Sequence, residues 1–134
     1  MNTPVNLGKT NPSRRLLAIE DDGDVQDLIK ISLQITRPDW DIWIAHSSNQ
    51  GLRQAIELLP DALLLDINLP GENGFMTLNH LRADARTQGI PVLLLTAQRL
   101  VPWDTGKLGA NGIIHKPFDP CTLAQQIETR LGWV

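Results

Sequence analysis

Four apolar runs in this 134-residue sequence stop on residues that can carry charge or donate a hydrogen bond. Leu16-Leu17-Ala18-Ile19 ends at Glu20, Asp21 and Asp22. Ala62-Leu63-Leu64-Leu65 ends at Asp66, Val92-Leu93-Leu94-Leu95 at Thr96, and Ile113-Ile114-His115 at Lys116. In open parallel sheets, sites form beyond the carboxyl ends of strands, near the point where strand order reverses. If the strand order is 2-1-3-4-5, the first and third strands are neighbours and their carboxylates converge. Carboxylates a few ångströms apart repel and raise one another's pKa values. A hard divalent cation relieves that repulsion, and Mg²⁺ takes carboxylates plus waters. One strand-ending Asp alone reads as a cap or turn residue, and Thr96 alone as a good strand former. Their joint placement on one rim points to a metal-assisted site.

The elements between these runs set the fold class. The apolar runs lack alternation, which means strands buried on both faces. Asp24 is read as the cap of a first helix with Val25, Leu28, Ile29 and Ile35 on its apolar face, ending before Pro38. A second strand is expected over 42–45, and a second helix from Asn49 with Leu52, Ala55, Ile56 and Leu59. A third helix carries Phe75, Leu78 and Leu81. Asp119 as cap and Pro120 at the first helical position open a last helix with Leu123, Ile127 and Leu131. Five strands alternating with five helical segments predict an α/β, doubly wound parallel sheet with helices on both faces.

Composition narrows the function. A net charge of −3 gives bulk electrostatics no means of holding nucleic acid. No apolar stretch approaches the roughly 20 residues of a membrane span, and the first residues lack the apolar core of a signal peptide. The one cysteine, Cys121, excludes an internal disulfide and fits a reducing compartment, so a cytoplasmic protein is expected. Residues 1–13 read as a flexible leader and 14–134 as one domain.

The acidic turn from Leu16 to Val25, the loop from Asp66 through Pro70 to Gly74, the pair Thr96-Ala97, and the run Gly109 to Phe118 resemble response-regulator receiver domains. The spacing agrees, with 30 residues from Asp66 to Thr96 and 20 from Thr96 to Lys116. The resemblance covers residues 14–134 and implies a flavodoxin-like sheet of order 2-1-3-4-5. It implies that Asp66 accepts a phosphoryl group from a kinase histidine, forming an acyl phosphate. Asp21 and Asp66 would ligate Mg²⁺, with Glu20 acting through water and the Asn68 backbone carbonyl completing the set. Lys116 would neutralise one phosphoryl oxygen and Thr96 would donate to another. Pro117 would follow a cis peptide, and Asp22 would lie outside the metal site.

The implied partners are a sensor histidine kinase or phosphotransfer protein and an unknown downstream protein, with a homodimer as an option and no direct contact with nucleic acid or membrane. The protein would be a phosphorylation switch rather than a turnover enzyme, acting as a single-domain regulator. One alternative is a degenerate receiver that binds a partner constitutively. Another is an aspartyl-phosphate hydrolase, although Asn68 stands where such enzymes carry a second Asp.

Two departures from the family pattern concern output. Ile113 occupies the usual aromatic position, so the aromatic readout is expected to be absent or replaced. The segment after Thr96 is about two residues short against the family pattern, and Pro102 and Gly106 predict a short or irregular fourth helix. Trp103 is either core or an exposed partner anchor, and Trp40, Trp43 and Trp133 read as packing or interface residues. Gly23 replaces a common proline. His46, His80 and His115 lack ligand spacing, and Cys121 is read as a structural thiol in the first turn of the last helix.

Overall fold

The structure, a computed structural model, describes residues 13–69, 73–97 and 102–133, with the side chains of 102–104 outside the description. Five strands, β1 (Arg14–Ile19), β2 (Trp40–Ala45), β3 (Ala62–Asp66), β4 (Val92–Thr96) and β5 (Gly112–His115), alternate with five helices. These are α1 (Gly23–Thr36), α2 (Ser48–Leu58), α3 (Gly74–Ala83), α4 (Pro102–Leu108) and α5 (Leu123–Leu131). All pairings are parallel, in the order β2-β1-β3-β4-β5.

The apolar runs do what two-sided burial requires. Alternate residues enter opposite cores. Leu17, Ile19, Leu63, Leu65, Val92, Leu94 and Ile113 join one core with Ala55 of α2 and Leu78 and Leu81 of α3. Leu16, Ala18, Ala62, Leu64, Leu93, Leu95 and Ile114 face the other, with Ile29 and Leu33 of α1 and Leu123, Ala124 and Ile127 of α5. Every residue of β3 and β4 is buried. This clamps both strand ends, and therefore Asp66 and Thr96, from two sides.

Several local expectations need correction. Asp22, not Asp24, caps α1, accepting from the amides of Asp24 and Val25. Of the residues assigned to its apolar face, Ile29 is buried, whereas Leu28 is 38% and Ile35 74% exposed. The buried stripe runs instead through Ile29, Ser32 and Leu33. The second strand begins at Trp40, two residues early. Ser47, not Asn49, caps α2, and Leu59, at its left-handed C-cap, is exposed.

The last helix begins later than Asp119 and Pro120 predict. The Asp119 carboxylate accepts from the Cys121 amide (2.8 Å) and its carbonyl from the Thr122 amide (3.0 Å). That closes a turn of its own, so Cys121 is exposed ahead of α5 rather than within its first turn.

The fourth helix is short, as expected, at 7 residues. The side chain of Trp103 and all but the last residue of the expected leader lie outside what is described. Trp40 is buried and meets Trp133 edge-on, with ring centroids 5.7 Å apart, while Trp43 is 41% exposed. No helix among the described residues is long and apolar enough to cross a membrane.

Candidate functional site

β1 and β3 are paired neighbours at the point where strand order reverses, so the residues that follow them share one rim. Glu20 is wholly buried at the end of β1, its amide donating to the Ala45 carbonyl of β2 (3.0 Å). Asp66, the last residue of β3, is 3% exposed. Carboxylate oxygens of Glu20, Asp21 and Asp66 lie within 4.8 Å of one another, with Asp21 on the solvent side.

Lys116 supplies the opposing charge. Its Nζ lies 2.8 Å from Glu20 Oε1 and 3.4 Å from Asp66 Oδ1. The second Glu20 oxygen accepts from the Asp22 amide (3.1 Å), and Asp66 Oδ1 accepts from the Asn68 amide (3.0 Å). Burial pushes Glu20 above the ordinary carboxylate range, and the Asp66 charge adds to the rise; the Lys116 and Asp22 hydrogen bonds offset only part of it. Burial pulls the Lys116 ammonium down, but Glu20 and Asp66 together outweigh it, and its pKa ends above the ordinary value.

The backbone aims these groups. Thr96, fully buried, ends β4, and its carbonyl accepts from the Lys116 amide (2.9 Å). The Lys116–Pro117 peptide is cis. The Ile67 carbonyl accepts from the Gly74 amide (2.6 Å), which closes the loop after Asp66 onto the start of α3.

Every residue expected in the site thus falls on one rim. The three carboxylates cluster, Lys116 pairs with Glu20 and Asp66, Asn68 is tied to Asp66, and Thr96 is tied to Lys116 through backbone. Asp22 turns away to cap α1. None of His46, His80 and His115 belongs to the acidic cluster. One contributor was not anticipated: Gln26 of α1, whose amide nitrogen reaches the Glu20 carbonyl at 2.5 Å. A half-buried polar residue on a helix leaves no distinctive mark in a sequence.

All three carboxylates are hard oxygen donors, and the two buried ones, Glu20 and Asp66, share one ammonium. The donor set and surplus negative charge fit a divalent cation such as Mg²⁺.

Residues 16–128 match the family model for the response regulator receiver domain. The chain belongs to the response-regulator receiver family. As a receiver it is 37% identical over 110 residues to the DNA-binding dual master transcriptional regulator RpaA of Synechocystis, covering 78% of this chain and 44% of that protein. The chain spans about half the length of the curated relatives it matches. A response-regulator structure from Chloroflexus aurantiacus superposes with a TM-score of 0.78 at 30% identity, covering 89% of this chain and 98% of that one. The receiver domain of a Pseudomonas aeruginosa sensor histidine kinase superposes with a TM-score of 0.76 at 25% identity, covering 89% of this chain and 98% of that one. That structure is described with a magnesium ion coordinated in its active-site cleft.

The family expectation about Ile113 has a structural counterpart. Ile113 is 7% exposed and packs into the core shared with α2 and α3. Its carbonyl accepts from Arg130 Nε of α5 (2.6 Å). A cavity of about 500 Å³ lined by Thr105, Ile113, His115, Thr129 and Arg130 opens between α4 and α5.

Proposed function

We propose that this receiver is a phosphorylation switch of a His–Asp relay that accepts its phosphoryl group on Asp66. One observation carries the reading: a buried carboxylate at a strand end, held by the Asn68 amide and Lys116, beside two further acidic groups within 4.8 Å. An Asp66 oxygen forms the new O–P bond while the P–N bond to the donor imidazole breaks, leaving an acyl phosphate. Lys116 stands where it neutralises a transferring oxygen, and Thr96, ending the next strand, donates to another. Glu20, Asp21, Asp66 and the Asn68 carbonyl would hold Mg²⁺, which when bound supplies neutralising charge to the transferring group.

The donor would be a sensor histidine kinase or phosphotransfer protein, and the output a protein partner or a homodimer. We assign the protein to the cytoplasm, as a switch acting once per phosphorylation rather than as a turnover enzyme. RpaA and similar relatives are described as DNA-binding regulators, and this chain spans about half their length. Its net charge of −3 favours no direct contact with nucleic acid. The buried Ile113 favours a second reading, a receiver that engages its partner without regard to phosphate.

Acetyl phosphate with MgCl₂, followed by intact mass measurement, tests the assignment. Wild type is expected to gain one phosphoryl group, and Asp66→Asn or wild type in EDTA none. Equal uptake by Asp66→Asn would remove Asp66 as acceptor. Absence of uptake by wild type would favour the phosphate-independent reading.

A further inference from the structure

The acidic turn is gripped from an unexpected side. The Glu20 amide donates to Ala45 of β2, and the Glu20 carbonyl accepts from Gln26 Nε2 (2.5 Å). That carbonyl belongs to the peptide joining Glu20 to Asp21, so its direction sets how both carboxylate side chains leave the backbone. The Asp22 carbonyl accepts from the Gln26 amide (2.9 Å), which seats Gln26 on the first turns of α1.

Donor counting fixes the orientation of the Gln26 side chain. A carbonyl oxygen only accepts, so the atom facing Glu20 is the amide nitrogen and not Oε1. A primary amide has two N–H groups. The same nitrogen lies 2.8 Å from His46 Nδ1, so its second hydrogen is directed there and Nδ1 accepts. With Nδ1 accepting, the ring hydrogen sits on Nε2. His46 is itself anchored, its backbone amide donating to Gln50 Oε1 of α2 (2.7 Å). The linkage runs from α2 through His46 and Gln26 to the peptide between two candidate cation ligands.

We infer that Gln26 is a positioning residue for divalent-cation binding, holding the Glu20–Asp21 peptide in register with Asp66, and that His46 fixes Gln26 in its donating orientation. The inference rests on the reading of Glu20, Asp21 and Asp66 as a cation site. Residues that orient ligands without touching the metal commonly contribute about 10–100-fold to affinity. Gln26 is half-buried and His46 exposed, which places them at the low end of that range.

Calorimetric titration with MgCl₂ tests this on wild type, Gln26→Leu, His46→Leu and the double variant, with melting in EDTA recorded for each. Leucine keeps the bulk of Gln26 and removes both donors. Gln26→Leu is expected to bind Mg²⁺ about tenfold more weakly, with melting in EDTA unchanged. His46→Leu should lose a smaller factor, and the double variant should bind no more weakly than Gln26→Leu, because the two act through one contact. Should Gln26→Leu fail to fold, His46→Leu, an exposed position, carries the test alone. Equal affinity in wild type and single variants overturns the inference while leaving the cation site standing. Wild type that binds no Mg²⁺ overturns both.

Discussion

The Lys116 ammonium lies 2.8 Å from Glu20 Oε1, a carboxylate that solvent does not reach. The same nitrogen is 3.4 Å from Asp66 Oδ1, so one cation serves two buried anions. Lys116→Met therefore has three effects of different sign. Removing one partner of a buried pair costs about 3–5 kcal/mol when burial is complete. Here the lower part of that range is expected from urea unfolding in EDTA, because Lys116 keeps 21% of its side-chain surface in water. Affinity for Mg²⁺ should rise, by about 3–10-fold, since a competing charge is gone. Phosphorylation by acetyl phosphate should fall about 100-fold, the scale of losing one preorganised charge contact. A general folding defect would instead weaken Mg²⁺ binding and phosphorylation together.

Gly74 is predicted to tolerate no side chain. A Cβ there would lie 2.5 Å from the Asp66 carbonyl oxygen and 2.6 Å from Ile67 Cα, and neither backbone atom can rotate away. Gly74→Ala must therefore push α3 from β3 or tilt the Asp66 peptide. A loss of about 1–3 kcal/mol in urea unfolding is expected, together with slower uptake from acetyl phosphate. Gly23→Ala, where nothing lies within 4 Å, serves as the control and should neither lose stability nor slow uptake.

The parts of the site legible in the sequence were those in which residue type and position coincide. Runs such as Leu63-Leu64-Leu65 demand burial on two faces, so the polar residue ending each run had to sit at a sheet rim. The strand order joining those rims came from resemblance, not periodicity. What escaped was decided by contacts a few residues away. Asp22 and Asp24 are both good caps, and the choice between them depends on where Glu20 stops being strand. Asp119 preferred the Cys121 amide to a helical start, a competition that residue preferences do not resolve. Gln26 was invisible for a similar reason: its importance lies in one carbonyl and one imidazole, not in its own type or spacing.

Arg37 and Glu128 tie the end of α1 to α5. Arg37 donates from Nε and Nη2 to the two Glu128 oxygens, at 2.9 and 2.6 Å. The Arg37 hydrogen bonds hold the Glu128 carboxyl below the ordinary range, against an opposing contribution from burial. A carboxylate with a lowered folded-state pKa stabilises the fold above its unfolded value of about 4.3. That contribution is lost as pH falls through the lowered folded value. Glu128→Gln should therefore cost about 1 kcal/mol near pH 7. Its gap from wild type should narrow as pH drops below about 4. Denaturant midpoints across pH check this, and a gap that widens in acid would reverse the sign.

Gly106 is the last position with a clear expected sign, and it bears on the shortness of α4. It lies inside a helix of 7 residues, exposed, with nothing within 4 Å of a Cβ built on it. The expected gain from Gly106→Ala is thus the intrinsic helix preference of alanine, about 1 kcal/mol. Hydrogen exchange at residues 105–108 should slow about fivefold if these amides exchange by local opening of α4. Gly109, at φ +84°, provides the contrast. Its backbone occupies the left-handed region, so Gly109→Ala should destabilise the exit from α4 although only the Arg82 side chain approaches the site. Opposite signs at two glycines three residues apart would show that Gly106 weakens α4 from within and that Gly109 terminates it. Equal slowing of exchange in both variants would exclude that account.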